Sequence, residues 1–412
     1  MRATPLLLLA LLAAAPLAAQ GPAKAPARAR ARALGIPFDG TPGRHNAITD
    51  VAGVEVGHTT LISGDGRLVQ GTGPVRTGVT AIHPRGKRSS DQVFAAWFSL
   101  NGNGEMTGTT WIDEGGFLAG PVMITNTHSV GTVRDAVIGW QVRHHPGFLW
   151  ALPVVAETYD GVLNDINGFH VKPEHVVAAL DGAAGGPVTE GAVGGGTGMI
   201  CNGFKGGIGT SSRVLPADDG GYTLGVLVQC NYGRRATLRI AGVPVGAEFP
   251  EPTVCAAGGT PTQAFLAGMP KCGVRTTSYV ERPHPELGSI IIVVATDAPL
   301  LPHQLERVVK RTALGLGREG SIASNGSGDI FVAFSTANPG AAADTGRVSL
   351  TMLPNEHLDP LFAATVQATE EAITNAMLAA ETMTGADSVR AYALPHERLR
   401  EIMRKYGRGV QR

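Results

Sequence analysis

The sequence predicts an α+β protein built from stacked layers, and three observations carry that expectation. Strand-like stretches come in runs, while helical stretches collect between them and gather at the C-terminal end, which favours segregated layers over strictly alternating βαβ units. The run Ile290-Ile291-Ile292-Val293-Val294 is a continuous apolar block, the pattern of a strand covered on both faces. The chain has 412 residues, 43% of them hydrophobic, enough for one large or two ordinary domains. Its 56 glycines imply many tight turns and close backbone approaches.

Along the chain, Ile48 to His58 alternates loosely through Ile48, Val51, Val54 and Val56, which predicts a strand with a turn at Gly53. Val75 to His83, Gln92 to Leu100 and Pro121 to Thr127 are further strands, and Asn101 to Gly108 is dense in turn residues. Ser129 to Gln141 places Val133, Val137 and Trp140 on one helical stripe. Leu152 to Ala156 is a strand that delivers Glu157, Thr158, Tyr159 and Asp160 at its end, and Pro173 to Leu180 is a short helix. Gly203 to Ser212 is glycine-rich and not helical, and Thr223 to Gln229 is a strand leading into Cys230-Asn231. Residues 241–287 read as one long loop, a length usually tied to function or mobility, with Pro283-His284-Pro285 as exposed irregular chain. Beyond Ser289, Pro302 to Leu314 is a helix and Ile330 to Phe334 a strand. Asp359 opens the longest helix, with Phe362, Val366, Thr369, Ile373 and Met377 on its stripe, and Pro395 to Tyr406 closes the chain as a helix.

The 34 basic and 34 acidic residues cancel, so no charged field points to nucleic acid or an anionic membrane as partner. Met1-Arg2, the apolar Leu6 to Ala15 and the small residues before Gln20 predict a signal peptide over 1–19. It is too short to span a bilayer; a retained N-terminal anchor is the alternative. Residues 20–33 then read as a basic, flexible tether, and the protein as secreted or periplasmic. The four cysteines lack C-x-x-C spacing, which argues against zinc. Export permits disulfides, with Cys255 and Cys272 the leading pair; four buried thiols is the other reading.

Gly194 to Gly198 has no P-loop lysine and serine after it, so close backbone packing reads better than a nucleotide site, and no cofactor is expected. There is no G-x-S-x-G and no H-E-x-x-H, which argues against an α/β-hydrolase triad and a metallopeptidase. Ser327 and Asp329 stand two apart at the start of a strand, so both side chains share a face where a hydroxyl and a carboxylate can hold an amine. The structural alternative is a simple hairpin turn. Ser289 follows Gly288 where a loop enters the apolar strand. A cut between them would leave a terminal residue carrying its own nucleophile and its own base; otherwise Gly-Ser merely begins a buried strand.

Together these segments resemble the L-aminopeptidase/D-esterase and β-aminopeptidase family of self-processing serine aminopeptidases of the N-terminal-nucleophile type. The resemblance runs from about Asn46 to Pro395. It rests on Asp50-Val51-Ala52-Gly53-Val54, Val56-Gly57-His58, Asn101 to Gly108, Thr125-Asn126-Thr127, Glu157 to Gly161, the glycine run, Val228 to Asn231, Gly288-Ser289 with Ala295 to Pro299, and Asn325 to Phe331. It implies an αββα four-layer sandwich cleaved into an α chain (34–288) and a β chain (289–412), assembled as a homotetramer. It makes Ser289 the nucleophile, Asn231 and Tyr159 the oxyanion and acyl-stabilising residues, Ser327 and Asp329 the pair on the terminal amine, and Glu157 the carboxylate that holds the substrate's free amine. Substrates would be peptides, amides or esters with a free N-terminus, with no metal. Residues 241–287 are longer than the resemblance leads one to expect. A binding protein that never matures, or an acyl-transferring relative, are the alternative functions.

Overall fold

A computed structural model describes residues 28–274 and 288–409. The signal peptide, the first part of the tether and Pro283-His284-Pro285 lie outside the described residues. In chain order the elements are β1 (Glu55–Ser63), β2 (Val75–His83), β3 (Val93–Gly102), α1 (Thr109–Gly115), β4 (Phe117–Leu118), β5 (Val122–Asn126), α2 (Val130–His144), β6 (Val154–Thr158), α3 (Pro173–Asp181), the short β7 (Ile200–Cys201) and β8 (Phe204–Lys205), β9 (Gly207–Val214) and β10 (Thr223–Asn231). There follow β11 (Val254–Ala256), β12 (Ser289–Thr296), α4 (Pro302–Lys310), α5 (Thr312–Arg318), β13 (Gly328–Ser335), α6 (Asp359–Ala379), β14 (Met383–Thr384), β15 (Val389–Ala391) and α7 (His396–Lys405).

Two sheets stack face to face. One has the order β1-β2-β5-β6, the other β4-β3-β13-β12-β10-β9. Ile82, Ile124 and Val154 of the first meet Leu227, Ile291, Val293 and Val332 of the second. Helices α2 and α3 cover the outer face of the first sheet, with Val133, Val137, Trp140 and Leu180 on Val79, Met123 and Val155. Helices α4 and α6 cover the outer face of the second, with Leu305, Val308, Ile373 and Met377 on Ile290, Ile292, Val294 and Phe331. The result is an αββα four-layer sandwich. Strand β12 lies inside it, antiparallel to β10 and parallel to β13, and every residue of it is buried. Each of its five aliphatic side chains contributes roughly 1.5–3 kcal/mol by leaving water.

Several elements differ from the sequence reading. Residues 28–33 are not tether: Ala31 is fully buried, Arg30 pairs with Glu190 at 2.8 Å and Arg32 with Glu371 at 3.0 Å. Ile48–Asp50 is a 3-10 turn, and the first strand starts only at Glu55. The helix predicted over Pro302 to Leu314 breaks at Arg311, where the Thr312 hydroxyl takes the Val309 carbonyl. The glycine-rich stretch before Val214 is a full strand, β9, at the sheet edge beside β10. The described part of 241–287 is organised: β11 pairs with β15, a 3-10 turn spans Ala264–Leu266, and a disulfide joins Cys255 to Cys272. Cys201 and Cys230 form a second disulfide, which replaces the buried-thiol reading.

Candidate active site

The strand registers bring the site together. Asn231 on β10 is the direct partner of Ser289 on β12, and Gly328 on β13 partners Ser289 from the other side. The Ser289 hydroxyl is buried and donates to the Gly288 carbonyl at 2.8 Å. The Gly328 N–H donates to that same oxygen at 3.3 Å. Two donors thus converge on the carbonyl of the bond preceding the serine. A Cβ at position 288 would lie 2.4 Å from the Asn231 carbonyl oxygen and 2.8 Å from Tyr232 Cα, both main-chain atoms, so only glycine passes there.

Ser327 donates to Asp329 at 2.6 Å, and both are buried. They flank Gly328, the residue paired with Ser289, so the two side chains stand next to the strand position that holds the serine. The Asn231 amide is fixed from both ends: Ile200 N–H donates to its Oδ1 at 2.8 Å, and its Nδ2 donates to the Tyr159 carbonyl at 2.8 Å. A primary amide has two N–H donors, which leaves one for an incoming oxygen.

Glu157 leaves β6 as a buried carboxylate, 3% exposed. Glu105 N–H donates to its Oε1 at 3.0 Å, and the Thr127 hydroxyl donates to Oε2. Burial raises its pKa above the usual carboxylate value, and these two hydrogen bonds oppose the rise. Gly104 stands between this carboxylate and the serine strand pair: a Cβ there would lie 3.1 Å from Glu157 Oε1 and 3.3 Å from Gly328 Cα. Tyr159 is half-buried, its phenol pKa raised by burial, and its ring meets Phe265 edge-on with centroids 6.5 Å apart.

Ser289, Asn231, Tyr159, Ser327 and Asp329 therefore gather at one end of the sandwich, with Glu157 across Gly104. Sequence reasoning missed the groups that hold them. Thr127 and the Glu105 N–H fix Glu157, Ile200 N–H orients Asn231, and Gln229 ties the sheets beneath the site by donating to the Thr125 carbonyl at 3.0 Å and to Thr158 at 2.8 Å. The only signal was that Glu105, Thr127 and Gln229 stand inside segments that carry the family resemblance. A cavity of about 860 Å³, lined by Phe204, Phe249, Tyr392 and Arg398 among others, shares no residue with this site. Among the described residues no group of three or more His, Cys, Asp and Glu could hold a metal ion.

A layered sandwich closed over a serine that opens a core strand is the framework of the N-terminal-nucleophile hydrolases. The profile of peptidase family S58 matches residues 46–391. The chain is 55% identical over 405 residues to a β-peptidyl aminopeptidase BapA from Sphingosinicella microcystinivorans, covering 98% of this chain and 97% of that one. Among solved structures it is similar to the L-aminopeptidase D-Ala-esterase/amidase from Ochrobactrum anthropi, described as a prototype serine aminopeptidase with a variant of the Ntn hydrolase fold. There the TM-score is 0.80 at 47% identity, over 92% of this chain and 99% of that one. A β-aminopeptidase from a Burkholderia species gives a TM-score of 0.79 at 45% identity, over 93% and 100%. The chain belongs to peptidase family S58 and is an aminopeptidase, a hydrolase of peptides with a free N-terminus.

Proposed function

We propose that the chain processes itself at Gly288-Ser289 and then works through an acyl-enzyme on Ser289. The observation that carries this is the Ser289 hydroxyl lying against the Gly288 carbonyl, with the Gly328 N–H on the same oxygen. Attack by Oγ on that carbonyl carbon moves the acyl group from nitrogen to oxygen. Water then hydrolyses the ester, leaving an α chain that ends at Gly288 and a β chain that begins at Ser289.

The freed α-amine has a reference pKa of about 7.7–8.0, which suits a general base near neutral pH. Ser327 and Asp329 hold it from the flanking strand. Ser289 attacks the carbonyl of the substrate's first residue, the spare Asn231 N–H and the Tyr159 phenol stabilise the oxyanion, and water releases the acyl group. Glu157 takes the substrate's ammonium, which restricts cleavage to the N-terminal residue of peptides, amides or esters. Similarity to a β-peptidyl aminopeptidase puts N-terminal β-amino acid residues first among substrates to assay. We further propose export through residues 1–19 and a homotetramer of cleaved heterodimers.

Intact mass with N-terminal sequencing of the purified protein tests the core of this reading. Two chains, one beginning at Ser289, are expected. A single uncut and active polypeptide would overturn it.

A further inference from the structure

The loop closed by the Cys255–Cys272 disulfide takes no part in the chemistry above, yet it is pinned over the site. Gln263 Nε2 donates to the Gly161 carbonyl at 2.9 Å. Thr262 donates to Asp387 Oδ2 from its main-chain nitrogen at 2.7 Å and from its hydroxyl at 2.6 Å. Asp387 is itself held at a left-handed φ of 55° and accepts from Leu68 N–H at 2.9 Å. Leu266 is buried with Leu163, Val389 and Ala391. Between these anchors the turn presents one large apolar side chain outward: Phe265, 36% exposed, edge-on to Tyr159. A ring tethered on both sides, facing a half-buried site residue, is positioned rather than merely exposed.

The order of groups says what it faces. Glu157, Tyr159 and Gly161 follow one another along the chain, and the loop docks at Gly161. With the substrate ammonium at Glu157 and the reacting carbonyl between Ser289 and Asn231, whose amide donates to the Tyr159 carbonyl, the peptide continues past Tyr159 toward Phe265. We propose that Phe265 is a specificity-determining residue whose ring, with that of Tyr159, forms an apolar wall for the side chain of the peptide's second residue. The inference rests on the aminopeptidase reading of the same site. It assigns the enzyme a preference for peptides with an apolar or aromatic second residue, set by a loop and not by the core strands.

The test uses matched substrates that share an N-terminal β-alanine: β-alanyl-leucine, β-alanyl-serine and β-alaninamide, which has no second residue. The parent enzyme should favour leucine over serine. Phe265→Ala should lower kcat/KM for the leucine peptide roughly fivefold to tenfold and leave the amide within about twofold, because only the peptide loses apolar contact. Phe265→Leu should keep most of the preference, and both variants should mature to the same two chains. An equal loss on amide and peptide, or no loss on either, would overturn the inference. Failure of the parent to hydrolyse any of the three would sink the reading of the site and this inference with it. Hydrolysis indifferent to the second residue would sink this inference alone.

Discussion

Ser289 and Glu157 occupy opposite walls of one site, and the chain holds them in opposite ways. Ser289 sits in strand register, paired through main chain with Asn231 and Gly328, and the residue before it has no room for a methyl group. Glu157 stands at the end of its strand and is fixed by a threonine hydroxyl and one loop N–H. On the proposed function, the nucleophile is positioned by core strand register, which changes only when the fold changes. The carboxylate proposed to select substrate is positioned instead by a side chain and a loop N–H, which can change singly.

The largest effect should fall on the rigid wall. Ser289→Ala should remain one uncut chain with no peptide hydrolysis above background, read by mass and by release of the N-terminal residue; cleavage or turnover in that variant would break the contrast. Asn231→Ala removes the amide donor, and kcat should fall by about 10²–10³ in any population that still matures. A comparable rise in KM with kcat unchanged would instead assign Asn231 to ground-state binding.

Across the site, Glu157→Gln keeps the acceptor for Glu105 N–H but loses the charge. KM for free-amine peptides should rise roughly tenfold to a hundredfold with a smaller change in kcat. The sign of its pH dependence follows from the raised pKa. The ionised carboxylate is the form that binds an ammonium, so kcat/KM of the parent should fall as pH drops through a midpoint above the usual carboxylate range. The glutamine variant should lack that limb; a limb at the same pH in both would detach it from Glu157.

Asp160 offers the smallest and most local test. Burial pushes its pKa up to about 7, against hydrogen bonds from Thr77, Asn164 and Asn126. The fold favours its protonated form, so its contribution to stability is fully present below about pH 3.8 and lost as pH rises through about 7. Asp160→Asn should flatten the decline of Tm across that window, and an unchanged decline would show that another group sets it.

The serine wall was legible because a continuous aliphatic run announces a buried strand and a Gly-Ser pair marks where it begins. Strand β9 was not legible because its residues are small for a reason visible only in three dimensions. A Cβ on Gly209 would lie 2.0 Å from the Ala372 carbonyl oxygen of α6, and the Ser211 hydroxyl donates to the Ala368 carbonyl at 2.6 Å, so helix and sheet touch through main chain. Arg30 and Arg32 looked like solvated tether because their partners, Glu190 and Glu371, are distant in sequence. Glu157, Tyr159, Ser327 and Asp329 were legible as positions at strand ends, but their grouping into one site came from the family resemblance and not from their spacing: it depends on how two sheets face each other, which no local spacing encodes.

One consequence lies in the order of the larger sheet. Strands β12 and β13 follow Gly288-Ser289 in the chain, yet β3 and β10, which flank them on either side, precede it. A molecule cut at that bond would consist of two polypeptides woven through one sheet, and no surface separates them. Parting them means breaking two strand ladders inside the core, so dilution alone would not release either piece. Once unfolded, the halves would have to find each other again as separate solutes, a second-order encounter in place of the closure of a loop. Synthesis as a single chain is then the one occasion on which assembly is intramolecular, and the mature form is a structure that can be made but not readily remade.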